Sequence, residues 1–346
     1  MKKRALITGI RGQDGAYLAR LLLDKGYEVY GADRRSGDST FWRLAELGVK
    51  ERVKILYMDM LELTNIMRVI ERAAPDEVYN LAAQSFVATS FEQPILTSDV
   101  NALGVLRLLE AIRLVKPDAR FYQASTSEMF GKVRETPQNE DTPFHPRSPY
   151  GVSKLYAHWI TVNYREAYGL HASSGILFNH ESPLRGHEFV TRKITTGVAA
   201  IQRGLQEKIV LGNMDAKRDW GFAGDYVDGM WRMLQMDAPG DYVLATGETH
   251  SIREFAEAAF LAAGMEVRWE GEREETRGLD ARTGRTLVEV SSEFYRPAEV
   301  DVLMGDPRRA GEILGWFAST KFGELVHMMV EHDRNAMDET AKKKER

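Results

Sequence analysis

Arg4-Ala5-Leu6-Ile7-Thr8-Gly9-Ile10-Arg11-Gly12-Gln13-Asp14-Gly15 opens the chain and decides its fold. A short apolar run passes into a glycine turn and then into a helical pattern over Tyr17–Lys25. Glycine lets the backbone turn tightly and approach a ligand, and the start of the following helix offers unpaired N–H groups and a positive dipole end to an anion. Strand, glycine turn and helix in that order predict the pyrophosphate cradle of a dinucleotide-binding fold. The Gly-x-x-Gly-x-x-Gly spacing is looser than the commonest fingerprint, so its place between strand and helix carries the reading. Gly9, Arg11, Gly12, Gln13, Asp14 and Gly15 are the expected cofactor contacts in this turn.

Outward from that turn, apolar runs recur at Val29–Ala32, Val53–Met58, Val78–Leu81, Phe121–Ala124 and Ser173–Phe178. Helical patterns at Ile66–Ala74, Ala102–Val115 and Pro149–Tyr168 lie between them, and Gly169 suits the end of the last. Continuous apolar strands alternating with helices predict an α/β fold, a Rossmann-type doubly wound parallel sheet. After about residue 180 the regularity breaks down, with helical patterns at Val190–Arg203 and Ser251–Ala263. A smaller, mixed carboxy-terminal substrate-binding domain is expected there. The expected division is 1–180 for the dinucleotide domain, with interleaved later segments, 181–335 for the second domain, and 336–346 as a charged tail. Glu270–Leu287 is charged and poor in apolar residues and reads as a mobile surface loop, and Ala341–Arg346 as a frayed end.

Composition narrows the function. The chain has 346 residues, 43% hydrophobic and 28% charged, with a formal net charge of −5. An acidic chain of this kind predicts neither a nucleic-acid nor a membrane partner, and an anionic ligand would need local cationic clusters. There is no cysteine, which removes disulfides, thiolate metal sites and cysteine nucleophiles together. No metal site is expected. The lack of cysteine and of a long apolar segment leads to the expectation of a cytoplasmic protein.

The second strand ends at Asp33-Arg34-Arg35-Ser36, where such folds meet the adenosine ribose. A carboxylate there hydrogen-bonds the 2′-hydroxyl of NAD, whereas arginine neutralises the 2′-phosphate of NADP. Arg34 and Arg35 outweigh Asp33, which can turn away or pair with them, so NADP is the expected cofactor. Asp59 and Met60 follow the third strand, where an adenine edge would lie. Leu81, Ala82, Ala83 and Ser85 follow the fourth, and small residues there allow close approach of a ribose or nicotinamide.

Tyr150-Gly151-Val152-Ser153-Lys154 sets tyrosine and lysine four apart on one helix face. An ammonium beside a phenol favours the phenolate, which can take the proton of an alcohol while hydride leaves for nicotinamide. Ser125-Thr126-Ser127-Glu128 ends the fifth strand. Thr126 is placed to hydrogen-bond the reacting oxygen. Glu128 adds a second proton-transfer group, as needed to remove a proton beside a new ketone; a helix cap or a salt bridge is the alternative role.

These motifs resemble the extended short-chain dehydrogenases/reductases, the NAD(P)-dependent epimerase/dehydratase family, and within them the GDP-mannose 4,6-dehydratases. The resemblance runs from about residue 4 to about 330 and includes Asn80–Ser85, Leu177–Pro183, Phe189–Ile194, Leu211–Phe222 and Tyr295–Val300. It implies Thr126, Glu128, Tyr150 and Lys154 as catalytic residues, with Tyr150, Lys154, His180 and Arg185 also meeting the cofactor. It further implies Ser85, Asn179, Val190, Lys193, Leu211, Gly212, Asn213, Arg218, Arg296 and Glu299 as contacts of a GDP-sugar, among which the cations suit a diphosphate. The implied reaction is conversion of GDP-mannose to a 4-keto-6-deoxy sugar, with a related GDP-sugar such as GDP-heptose, or nucleotide-sugar 4-epimerisation, as alternatives. Leu184, Phe86, Leu96 and Asp33 stand where the family pattern has arginine, histidine, tyrosine and an apolar residue. The resemblance also implies a homodimer or homotetramer in which Ser36–Trp42 reaches a neighbour. Phe41 and Trp42 either form that contact or pack under their own loop.

Overall fold

Ala5, Leu6 and Ile7 are fully buried, as a strand covered on both faces requires. In the computed structural model, which describes residues 2–37, 40–294 and 302–344, this run is β1, Arg4–Thr8. It is followed by β2, Glu28–Asp33; β3, Lys54–Tyr57; β4, Glu77–Asn80; β5, Arg120–Thr126; and β6, Ala172–Leu177. The sheet order is β3-β2-β1-β4-β5-β6, with Asp241–Leu244 as a seventh strand beside β6. Every pairing in it is parallel. The order reverses direction at β1, so the loops after β1 and β4 diverge there and leave a crevice at their carboxyl ends. The doubly wound parallel sheet read from the sequence is therefore present. The seventh strand was not anticipated, because its run is four residues long and stands alone between loops.

The chain forms two compact units, Met1–Phe178 with Ala223–Gly247 and Gly305–Ala318, and Asn179–Phe222 with Glu248–Met304 and Ser319–Arg346. In the first, the helices Leu63–Ala73 and Gly104–Val115 pack Ile66, Ile70, Leu108 and Ile112 against Leu6, Val78 and Phe121 of the sheet. The helix Pro149–Tyr168 has the expected bounds. Pro149 sits at its first turn, where the missing N–H costs nothing, and the Ser148 hydroxyl accepts the Gly151 N–H at 3.0 Å. Arg165 on this helix holds Asp241 of the seventh strand with two bonds of 2.9 and 2.5 Å. On the outer side of that strand, the Glu140 carboxylate accepts the Val243 N–H at 2.7 Å.

The second unit is mixed. Val267–Glu270, Arg277–Asp280 and Thr286–Val290 form an antiparallel run, and Thr286–Val290 pairs in parallel with Ile209–Leu211. The segment Glu270–Leu287, expected as a surface loop, carries the strand Arg277–Asp280 and the start of Thr286–Val290, with exposed turns between them. Its charge hides these short strands, since Gly278, Leu287 and Val288 are buried while Glu270, Arg277 and Arg285 face out. The helices Val190–Gln202, Ile252–Ala262 and Phe322–Lys344 cover this sheet around Ile194, Val198, Phe255 and Leu325. Ser251 and Glu254 cap the middle helix reciprocally. Arg192 and Asp333, both buried, pair at 2.5 Å. The expected charged tail belongs to the last helix as far as Lys344, since the polar residues continue its 3.6-residue period instead of ending it.

Gly169 closes the helix Pro149–Tyr168 at φ 68°, with nothing within 4 Å of where a Cβ would stand. Gly169→Ala therefore isolates the left-handed backbone cost. It should lower unfolding free energy by about 1 kcal/mol in urea denaturation, and an unchanged midpoint would contradict the cap.

Candidate active site

Gly9 is in the left-handed region at φ 68°, and a Cβ on it would lie 2.8 Å from Ala82 N and Leu81 C. A Cβ on Gly15 would lie 2.6 Å from Gly9 O. These two positions admit no side chain, and Gly12 is nearly as tight, 3.2 Å from the same oxygen. The turn is therefore a bare backbone cradle, with the helix Gln13–Asp24 starting directly behind it. Beside it lies a cavity of about 410 Å³. Of the predicted cofactor contacts, Gly9, Arg34, Asp59, Met60, Ala82 and Ala83 line this cavity, together with Asp33. Leu81 supplies the backbone under Gly9, and Ser85 is exposed nearby in sequence but does not line the cavity. Gln93, Leu96 and Val100 complete the wall, of which Gln93 and Val100 carry no sequence signal. One residue behind that wall has a visible task. Asn101, in the π-helical turn Asp99–Leu103, accepts the Gln84 N–H at 2.8 Å and donates to Gln84 O at 2.9 Å, so it pins the loop after β4.

Asp33 does not pair with Arg34 or Arg35. Its carboxylate takes the Arg11 guanidinium at 2.5 Å, while that guanidinium stacks on the Phe41 ring, 4.3 Å from its centroid. Arg34 and Arg35 are exposed at the end of β2. Phe41 is buried, so it packs under its own loop, whereas Trp42 is 40% exposed. Gln13, also buried, donates to Asp14 at 3.0 Å.

At the end of β5, the Thr126 hydroxyl accepts the Glu128 N–H at 3.3 Å and starts a single helical turn. Glu128 is half-buried on that turn. A Cβ on residue 151 would stand 2.8 Å from Glu128 O, so glycine between Tyr150 and Val152 lets the long helix press against the backbone of Glu128. That contact brings the turn with Thr126 and Glu128 beside the start of the helix with Tyr150 and Lys154. Tyr150 and Lys154 are both buried, with the Lys154 ammonium 5.9 Å from the Tyr150 ring centroid and 2.9 Å from Ala124 O. Burial lowers the Lys154 pKa to about 8, with Asp14 acting in the opposite direction. A phenol and an ammonium lowered in pKa thus stand on a helix that packs on the backbone of Glu128.

The remaining predicted contacts lie in the second unit. Asn179 and His180 are on the strand Asn179–Glu181, paired with Trp220–Phe222. Arg185 lies 3.2 Å from the Glu181 carboxylate and stacks on Phe189 at 3.6 Å. Leu184 is 1% exposed, a core position. Val190 and Lys193 begin the helix Val190–Gln202, and the Lys193 ammonium lies 3.8 Å over the Phe294 ring. Gly212 backs on the same residue, since its Cβ would meet Phe294 O at 2.6 Å. Leu211 is buried and presents backbone only, Asn213 Oδ1 accepts the Asp215 N–H at 3.0 Å, and Arg218 is half-buried on Lys217–Arg218. Arg296 and Glu299 lie outside the described residues.

The family model for GDP-mannose 4,6 dehydratase matches residues 6–329. The GDP-mannose 4,6-dehydratase of Sinorhizobium fredii is 55% identical over 339 residues, 96% of this chain and 97% of that protein. The human GDP-mannose 4,6 dehydratase is 52% identical over 341 residues, covering 96% and 92%. Among solved structures, Thermus thermophilus UDP-glucose 4-epimerase in complex with NAD superposes with a TM-score of 0.79 at 27% identity, covering 96% of this chain and 99% of that one. RMD from Pseudomonas aeruginosa, complexed with NADPH, does so with a TM-score of 0.76 at 22% identity, covering 96% and 100%.

The burial of Lys154 makes a prediction with a definite sign. Its folded pKa, about 8, is below the unfolded value near 10.5, so below pH 8 the native state carries the whole cost of a buried ammonium. Lys154→Met should abolish turnover yet stabilise the protein at pH 7, by roughly 2–3 kcal/mol. That gain should shrink as pH rises from 8 to 10.5. A stability difference that is flat over this range would refute the burial cost.

Proposed function

The chain belongs to the GDP-mannose 4,6-dehydratase family, and we propose that it converts GDP-mannose to GDP-4-keto-6-deoxymannose with a tightly held NADP. Such a reaction makes the chain a hydro-lyase. The observation that supports the reading is the Gly151 contact, which sets the backbone of Glu128 against the helix that carries Tyr150 and Lys154. An alcohol oxidation alone needs the tyrosine; elimination of water needs a second proton-transfer group beside it.

The bare cradle at Gly9 and Gly15 and the cavity beyond it fit a dinucleotide. When bound, NADP would supply a reversible acceptor for the sugar's hydride, which is removed at C4 and restored at C6. Tyr150, kept as phenolate by the Lys154 charge, removes the proton of the 4-hydroxyl. The new ketone acidifies the C5 proton, and Glu128 takes it. Glu128 then gives that proton to the C6 hydroxyl, which leaves as water with Thr126 orienting the departing oxygen, and the Tyr150 phenol gives its own proton to C5 as C6 is reduced. Lys193 and Arg218, with Arg296, supply positive charge for the GDP diphosphate. The choice of NADP over NAD is supported by the Arg11–Asp33 pair: with its carboxylate occupied, Asp33 is a poor partner for a ribose 2′-hydroxyl, and Arg34 and Arg35 meet the 2′-phosphate.

Two tests follow. Incubation with GDP-mannose should give a 4-keto product that absorbs in alkali, whereas GDP-talose without a ketone would identify an epimerase. Glu128→Gln should lower kcat by at least about 10²-fold with substrate binding nearly intact, and near-normal turnover would sink its role. For the cofactor, Arg11→Ala should free Asp33 and reduce the NADP-over-NAD binding ratio by about tenfold in titration calorimetry, the size of one lost charge pairing. An unchanged ratio would remove Arg11 and Asp33 from cofactor choice.

A further inference from the structure

Thr8 and Asn80 are the last residues of β1 and β4, and Gln123 lies beside them in the middle of β5, with Thr8 opposite Asn80 and Asn80 opposite Gln123. Each is 1% exposed. Their side chains form a continuous run of hydrogen bonds whose direction is dictated at one end. Thr8 Oγ1 accepts the Leu81 and Ala82 N–H groups, each at 3.0 Å, so its lone pairs are taken and its single proton goes to Asn80 Oδ1 at 2.7 Å. Asn80 must then turn its Nδ2 to Gln123 Oε1, at 2.8 Å. Gln123 in turn donates from Nε2 to Ala124 O, at 3.0 Å. The same Ala124 oxygen accepts the Lys154 ammonium at 2.9 Å. Two backbone N–H groups in the loop beneath Gly9 thereby orient both amides as far as the lysine.

We infer that Gln123 is a positioning residue for Lys154, and that the ladder Thr8–Asn80–Gln123 sets both the place and the charge of that ammonium. The inference rests on the reading of Lys154 as the partner of Tyr150. Tying strands together needs any well-packed pair, but this ladder ends on the one protein acceptor of the Lys154 ammonium among the described residues. Sharing the oxygen has an electrostatic effect as well. The positive end of the Gln123 amide meets the same carbonyl as the ammonium and opposes its charge. The other groups facing Lys154 are few. Asp14, on the helix Gln13–Asp24, favours the charged form. Tyr150 lies one turn earlier on its own helix. On the β5 side, the Ser125 hydroxyl is bonded to His158 Nδ1 at 3.2 Å, and burial keeps His158 toward its neutral form.

The test is the pH profile of kcat in the full-length protein with GDP-mannose and NADP. Gln123→Met removes the opposing dipole, and Gln123→Glu replaces it with a carboxylate that is ionised at alkaline pH. Both should move the alkaline limb upward, by about half a unit for methionine and about one unit or more for glutamate. The order glutamate, methionine, wild type is the expected signature, with KM for GDP-mannose within about twofold. A merely structural Gln123 would lower the melting temperature and leave the limb in place, and superimposable profiles would overturn the inference. Should the methionine variant not fold, the near-isosteric glutamate variant decides alone. Lys154→Met run in parallel separates the two levels. Activity in that variant would overturn the reading of the site and the inference with it. Inactivity together with unmoved Gln123 profiles would overturn the ladder only.

Discussion

The contact on which the rest of the first unit depends is the backbone of Gly9 lying against the backbone of Leu81 and Ala82. Two loops that leave neighbouring parallel strands normally diverge at this point of a doubly wound sheet. Here they are drawn together at a separation that excludes even a methyl group. Several features follow from that approach. Thr8 must satisfy the N–H groups of Leu81 and Ala82 from below, because no strand reaches them. Asn101 must hold Gln84 from the far side, and it does so from a π-helical turn that is itself backed by Gly104 against Met60. The cradle for a dinucleotide is the open surface left over by these constraints.

Much of this was legible in the sequence because it is written in local terms. The glycine turn, six of the seven strands and both ends of the helix Pro149–Tyr168 follow from runs, periods and caps that need no distant partner. Tyr150, Lys154, Thr126 and Glu128 were nameable from spacing. What spacing does not convey is why Gly151 stands between the tyrosine and the lysine: its reason is the Glu128 carbonyl, more than twenty positions back. Asp33 could turn away from Arg34 and Arg35 or pair with them, and it turns away. The sequence presents Arg34 and Arg35 as its neighbours, whereas the fold brings Arg11 to it from another strand end. Glu270–Leu287 was legible only in part, since two short strands lie among exposed charged turns and composition reports the turns. Arg296 and Glu299, named from the family pattern, fall outside the described residues.

In the proposed site, stability is given up for chemistry. A buried ammonium with one carbonyl acceptor is a poor arrangement for a folded protein, and the surrounding sheet must be stable enough to carry it. The large apolar layer between sheet and helices, and the paired Arg165 and Asp241 at the end of the long helix, are where that stability resides. The lysine sits on a twenty-residue helix and bonds to the central strand β5. Phenol and ammonium therefore share one regular element, which holds their spacing better than a loop would.

The carboxylate of Glu140 on the Val243 N–H has a consequence for self-association. A parallel sheet ends in a strand whose alternate N–H groups point outward, ready to template another strand. In the strand Asp241–Leu244 that outward donor is already taken, by a side chain from a loop that also bridges Gln138 to Gly305. An extended segment of a second chain would have to displace an anion before it could add to this margin. One glutamate thus blunts this margin of the sheet at Val243, while Lys54–Tyr57 forms the opposite margin.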